Sequence, residues 1–85
     1  MSKNEKLIVR FLSRPKDFTW NEIIRVLSHF GYEEIRNGKT GGSRRKFANS
    51  KKHMISLHEP HPLNILKSYQ IDLIIQHLKA HEELF

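Results

Sequence analysis

The spacing of apolar residues changes twice along this chain, and that change limits the fold more than any other feature. Up to Gly31, apolar residues recur at the three- and four-residue intervals of helix faces. From Tyr32 to His58 they alternate between turns, as they do in strands. After Pro62 the helical interval returns. The sequence therefore predicts an α+β fold with the order helix, helix, three strands, helix.

Two N-terminal helices are predicted, each with one apolar face. The first covers residues 4–13 and ends before Pro15, because proline cannot continue the backbone hydrogen bonds of a helix. The second begins after Thr19, which is spaced to form a capping box with Glu22. Gly31 ends this helix, since glycine readily adopts the left-handed conformation found at helix ends.

Three short strands are predicted next, over residues 32–37, 43–48 and 53–58. Glycine-rich residues 38–42 and polar residues 49–52 form the turns between them. They form an antiparallel meander with helices on one face. Alternation of side chains directs one set toward the core, namely Phe47, Ile55 and Leu57. It directs a second set to the open side of the sheet, namely Arg44, Lys46, Ser56 and His58.

A third helix closes the predicted domain. Ser68 is the expected N-cap, and the apolar stripe that follows consists of Ile71, Ile74, Ile75 and Leu78. The charged residues 79–85 are expected to fray. A chain of 85 residues can bury only one modest core. We therefore expect a single domain over residues 1–85, with a core at 19–80 and an additional N-terminal helix at 1–15.

Composition excludes several classes of protein. The chain has no cysteine, which rules out a thiolate zinc site and a thiol nucleophile, and fits a cytoplasmic protein rather than a small secreted one. No apolar run reaches the roughly 20 residues needed to span a bilayer, and the first residues lack the apolar stretch of a signal peptide. We expect a cytoplasmic protein with no membrane contact.

Positive charge is concentrated in one segment. The formal net charge is +6, and residues 36–52 carry seven lysines and arginines without one acidic residue. Such a cluster on a hairpin favours phosphate binding, as in nucleic-acid recognition. The alternative is a solvated loop in a generally basic protein.

Three segments of this sequence resemble the HicA toxins of bacterial toxin–antitoxin pairs. They are a Gly-Ser turn into a basic strand at Gly41–Phe47, a His-Pro segment at Ile55–Pro62 and the closing helix from Leu66. The resemblance spans about residues 20–80. It implies a double-stranded-RNA-binding-domain-like fold and a type II toxin that cleaves mRNA without a metal or other cofactor. It also implies two partners, RNA and a HicB-type antitoxin.

One position departs from the pattern of the family. The residue after Gly-Ser is commonly the histidine to which catalysis is assigned, and here it is Arg44. Arginine cannot act as a general base near neutral pH, because its pKa lies above about 12. Either another residue transfers protons in this chain, or the chain binds RNA without cutting it.

Histidine is the natural proton carrier near pH 7, so the histidines are the catalytic candidates. His58 comes first, His61 second and His53 a distant third. The alternative is that His58 packs at a strand end and His61 forms hydrogen bonds in a proline turn. The spacing of the three histidines matches no zinc motif, so no metal site is expected.

The residues expected to hold RNA belong to the basic hairpin. They are Gly42, Ser43, Arg44, Arg45, Lys46, Lys51 and Lys52. Three functions remain open at this point: a metal-independent endoribonuclease toxin, a non-catalytic RNA-binding module of the same fold, and a protein-binding domain whose basic patch meets an acidic partner.

Overall fold

The computed structural model of the protein describes residues 3–35, 44–60 and 63–83. The elements follow in the order α1 (Lys3–Leu12), α2 (Trp20–His29), β1 (Glu33–Ile35), β2 (Arg44–Ala48), β3 (Met54–His58) and α3 (Ser68–Ala80). Both strand pairs are antiparallel, and the sheet order is β1-β2-β3. This confirms the predicted α+β fold. None of the described helices has the length and apolar composition to cross a membrane.

One face of the sheet packs against the helices, and the other is exposed. Phe47 on β2 and Leu57 on β3 are buried, and the Trp20 ring on α2 lies 6.0 Å from the Phe47 ring. Side chains on the other face are exposed, namely Arg44 and Lys46 on β2 and Met54, Ser56 and His58 on β3. The buried face joins a single core cluster with the helices. Helix packing therefore leaves the opposite side of β2 and β3 available for function.

The N-terminal helix α1 joins this same core. Phe11 is fully buried, and its ring lies 5.6 Å from that of Phe18. The Arg10 guanidinium donates to Glu22 on α2 at 2.8 Å and to Asp17 at 2.7 Å. Phe18 lies outside any periodic pattern, so its complete burial was not foreseen from the sequence.

The predicted capping box at the start of α2 is present. The Glu22 N–H donates to Thr19 Oγ1 at 3.2 Å, and the Thr19 N–H donates to Glu22 Oε1 at 3.0 Å. Burial alone would raise the pKa of the Glu22 carboxyl, but its hydrogen bonds with Thr19 and the charge of Arg10 bring it below the ordinary value. The box fixes where α2 begins, and the ion pair of Glu22 with Arg10 ties α2 to α1.

Replacing Thr19 by alanine is expected to destabilise the protein by about 1 kcal/mol, because the backbone N–H of Glu22 loses its acceptor. Chemical denaturation measures this change. Asn21→Ala is the matched control, since Asn21 is an exposed residue in the same helical turn. Equal stability of the two variants would contradict a stabilising role for the box.

Two predictions for α3 were wrong. The helix begins at Ser68, and its N-cap is Lys67, whose N–H donates to Gln70 Oε1 at 2.9 Å. The segment expected to fray continues the helix to Ala80 and then packs. The Glu83 side chain is only 10% exposed and accepts a hydrogen bond from His53 Nδ1 at 3.0 Å. The segment after α3 is thus attached to the turn between β2 and β3.

Candidate nucleic-acid interface

The exposed side of β2 and β3 brings two of the predicted cations, Arg44 and Lys46, together with His58. Arg44 is paired with His58, and Lys46 with Ser56. All four are exposed. Ile35 on β1 lies in register with Lys46 and is also exposed. We call this surface, made of these five residues, the open face.

The register fixes how closely Arg44 and His58 approach. The Asn49 N–H donates to His53 O at 3.1 Å, which makes these two residues a hydrogen-bonded pair at the start of the ladder. Such pairs alternate with pairs that share no hydrogen bond, so Arg44 and His58 form one of the latter. In that arrangement the Cα atoms are about 4.5 Å apart and the side chains are at their closest. The guanidinium and the imidazole can therefore reach one phosphate group.

Arg45 points to the opposite face, as alternation predicts. Its Nε donates to Glu59 Oε1 at 3.2 Å, and its Nη1 lies 3.7 Å from Glu34 Oε2. The Arg45 side chain is 34% exposed. Two carboxylates therefore offset its charge, and it ties β1 to the segment after β3. Its predicted contact with RNA stays a prediction, and it does not share the open face.

Lys51 and Lys52 lie in the turn between β2 and β3, where both are exposed. Asn49 Oδ1 accepts from the Lys51 N–H at 3.1 Å, and Lys52 has a positive φ of 66°. Four residue steps separate the start of β2 from its end, which is about 13 Å at the usual rise of a strand. The turn lysines therefore lie at the other end of the hairpin from Arg44, and their predicted contact with RNA stays a prediction.

Three predicted site residues, Gly42, Ser43 and His61, lie outside the described residues. His53, the third histidine candidate, is among the described residues but does not lie on the open face. It lies at the turn end of the hairpin, where its ring stacks on that of His81 with centroids 3.8 Å apart. The structure therefore separates His53 from the open face and leaves His58 there.

Around His53 lies a polar network that the sequence did not reveal. Glu83 accepts hydrogen bonds from the Tyr32 hydroxyl and from the Asn49 amide. The Tyr32 oxygen also lies 2.9 Å from His77 Nε2. We call the six residues of this network the Glu83 cluster, namely Tyr32, Asn49, His53, His77, His81 and Glu83. It joins the start of the sheet, the β2–β3 turn and the end of α3.

Burial and charge shift the pKa values in the Glu83 cluster. Burial lowers the pKa of His77, and the neighbouring His81 and His53 lower it further against the opposing effect of Glu83. Burial alone would raise the pKa of Glu83, but hydrogen bonds from Tyr32 and His53 bring it below the ordinary value. Burial, with the hydrogen bond and charge of Glu83, raises the pKa of Tyr32. The structure thus favours neutral His77 and ionised Glu83.

The side chains of the Glu83 cluster hydrogen-bond to one another. Within residues 3–35, 44–60 and 63–83, no group of three or more metal-ligating side chains is placed to hold a metal. His53 Nδ1 is 3.0 Å from Glu83, and His77 Nε2 is 2.9 Å from Tyr32. These contacts give the cluster a structural role.

Residues 20–80 match the model of a protein family, described as the HicA toxin of bacterial toxin–antitoxin systems. The match runs from the first residue of α2 to the last residue of α3 and includes the whole sheet. The chain belongs to the HicA toxin family. As a HicA toxin, it is the toxin of a toxin–antitoxin pair. Neither the curated proteins nor the solved structures gave a match to this HicA chain.

Proposed function

We propose that this HicA toxin is a metal-independent mRNA endonuclease that acts on RNA held against the open face. The observation that carries the proposal is the cross-strand pair of Arg44 and His58, both exposed, with Lys46 two residues along the same strand. This pair puts a proton carrier beside two cations. Cleavage of RNA through its own 2′-hydroxyl needs that combination.

In the proposed reaction, the imidazole of His58 accepts the proton of a 2′-hydroxyl. The oxygen attacks the adjacent phosphorus, and the bond from phosphorus to the 5′-oxygen breaks as that oxygen gains a proton. The products are a 2′,3′-cyclic phosphate and a 5′-hydroxyl. Arg44 and Lys46 stabilise the negative charge that develops on the phosphoryl oxygens. His61 is the candidate donor of the second proton.

The proposal also assigns a role to the departure from the family pattern. A guanidinium remains charged at any pH at which RNA cleavage is measured, so Arg44 stabilises charge and does not transfer the proton. The proton carrier then has to be a neighbour of Arg44. His58 meets this requirement, because it is directly opposite in the strand pair.

A HicB-type antitoxin is the proposed protein partner. The net charge of +6 favours an acidic surface on that partner, since opposite fields speed association. An antitoxin that covers the open face would inhibit the toxin by excluding RNA from Arg44 and His58.

The direct test is incubation of the purified protein with single-stranded RNA in the presence of EDTA. We expect fragments that end in a 2′,3′-cyclic phosphate, and we expect that induction of the gene arrests growth and that a co-expressed HicB-type partner reverses the arrest. Intact RNA at every pH tested would contradict the nuclease proposal.

A non-catalytic RNA-binding module is the second candidate, favoured by Arg44 at the position of the usual histidine. It predicts retention of RNA that weakens with salt, without cleavage. The growth and cleavage assays separate this candidate from the first. Both candidates share the open face as the RNA-binding surface.

Replacing Arg44 by glutamate is expected to abolish RNA retention at moderate salt for both candidates. The change removes one phosphate contact, so the negative slope of log affinity against log salt becomes shallower by about one. It also adds a charge that repels phosphate. Arg25→Glu is the matched control, because Arg25 is an exposed arginine on α2. Filter binding across a salt series measures both. Strong RNA retention by both variants would contradict the role of Arg44, whereas negligible retention by the wild type and both variants would favour a domain that binds only protein.

A further inference from the structure

One long side of the sheet ends in a strand with unused backbone groups. In the described part of the chain, β3 pairs with β2 on one side and with no strand on the other. The alternation set by the Asn49–His53 pair directs the N–H and C=O groups of Met54, Ser56 and His58 away from β2. An independent contact supports this direction, since His58 O accepts from Gln70 Nε2 on α3 at 2.9 Å.

The outward backbone groups of Met54 and Ser56 differ from those of His58. Among the described residues, none forms a hydrogen bond with the outward N–H or C=O of either one. We call these four groups the outer edge of β3. Exposed strand edges of this kind are templates for pairing with another chain.

A groove runs beside the outer edge of β3. Its volume is about 400 Å³, and α3 forms the opposite wall. Its lining includes Met54 and Ser56 on β3 and Leu73 and Ile74 on α3. Met54 and Leu73 are 51% and 56% exposed, which is high for large apolar side chains at neighbouring positions. The groove therefore offers both apolar surface and backbone partners.

We propose that the outer edge of β3 and this groove bind an extended segment of a protein partner, which adds a fourth strand to the sheet. Backbone hydrogen bonds with Met54 and Ser56 would supply affinity, and alternate side chains would supply specificity. One set of partner side chains falls on the helix side, beside Leu73 and Ile74, and must be apolar. The inference takes from the proposed function only that the partner is a protein.

The other set of partner side chains falls on the open face and should be acidic. An added strand would lie two strand spacings from β2, about 9.6 Å, which aspartate or glutamate and Lys46 can bridge together. This arrangement makes the preferred segment an alternation of apolar and acidic residues.

Two other occupants fit less well. A second copy of the chain would bring another formal charge of +6 beside the first, and the open faces would then lie side by side in one sheet. Single-stranded RNA has no regular alternation of donors and acceptors to match a strand edge, and its phosphates cannot enter an apolar groove without losing solvation.

The probe for this inference is a short, capped peptide in which valine and glutamate alternate. We expect its addition to shift the amide resonances of Met54 and Ser56 in the full-length protein. A peptide that alternates valine and lysine should bind at least about tenfold more weakly, because lysine repels Lys46. Shifts confined to residues outside β3 and α3, or no shift at millimolar peptide, would overturn the inference.

Two variants test the edge and the groove separately. Ser56→Pro removes an outward N–H and should preserve the fold, since proline is tolerated at the unpaired side of an edge strand. Leu73→Glu places a carboxylate in the groove wall beside the valine side chains, where it would lose solvation on binding. Each is expected to weaken binding of the valine–glutamate peptide by about tenfold or more. Val9→Glu is the matched control, because Val9 is equally exposed, at 56%, on α1.

Further outcomes distinguish this inference from the proposed function. Leu73→Glu should retain single-stranded RNA as well as the wild type, so the two proposals can fail independently. Peptide binding that survives both Ser56→Pro and Leu73→Glu would overturn the inference. If sedimentation shows a dimer that Ser56→Pro converts to a monomer, the strand added beside β3 belongs to a second copy of this chain. That result would overturn the proposal that a different protein binds there.

Discussion

Replacing His58 by alanine is expected to slow metal-free cleavage of single-stranded RNA by about 10²- to 10⁴-fold, the usual contribution of one positioned proton carrier. Arg44, which lies opposite residue 58 in the strand pair, cannot accept a proton, so nothing in the variant replaces the base. Arg44 still contacts phosphate, so the variant should still bind RNA. Single-turnover fragmentation of labelled RNA in EDTA measures the rate. Filter binding of a substrate whose reactive 2′-hydroxyl is replaced by hydrogen measures retention.

The matched control is His29→Ala, since His29 is an exposed histidine at the end of α2. It should cut and retain RNA as the wild type does. A His58→Ala variant that cuts equally fast would contradict the assignment of proton transfer to His58. Loss of both cutting and retention would contradict it as well, because His58 would then be needed for binding.

The open face could be predicted from the sequence because side chains in a strand alternate with a period of two. Once Phe47, Ile55 and Leu57 are placed in the core, the faces of Arg44 and His58 follow, since a slip of one residue would expose the apolar set. The cross-strand partners needed one more fact, the pairing of Asn49 with His53 at the turn. That pairing depends on the conformation of the turn, which composition indicates only in outline.

Contacts between distant parts of the chain could not be predicted in this way. Tyr32 and Glu83 are 51 residues apart, and no local pattern links them. The same holds for Arg45, whose two carboxylate partners come from β1 and from the segment after β3. A count of charged residues gives the sign of the net charge of a segment, but it does not show which ion pair each side chain forms. The tail after α3 was expected to fray because its charged residues lack an apolar stripe, whereas a polar network holds it.

Replacing Glu83 by alanine is expected to destabilise the protein by about 2–4 kcal/mol, since several donors in a largely buried site lose a charged acceptor. For a domain of this size the melting temperature should fall by about 8 °C or more. Glu82→Ala is the matched control, because it removes the same charge from an exposed neighbour. Equal melting temperatures of the two variants would contradict a structural role for the Glu83 cluster.

The same cluster should make the wild type sensitive to acid. The folded-state pKa of His77 is depressed, so the unfolded chain binds protons more readily, and stability is lost as the pH falls below about 6.5. The pKa of Glu83 is also depressed, so its contribution is present above about 4.5 and is lost at lower pH. The loss from His77 begins at a higher pH than the loss from Glu83, and the His53 and His81 rings also face this site. Melting temperatures between pH 7 and pH 5 should therefore fall more steeply for the wild type than for His77→Gln, and parallel curves would contradict the role of His77.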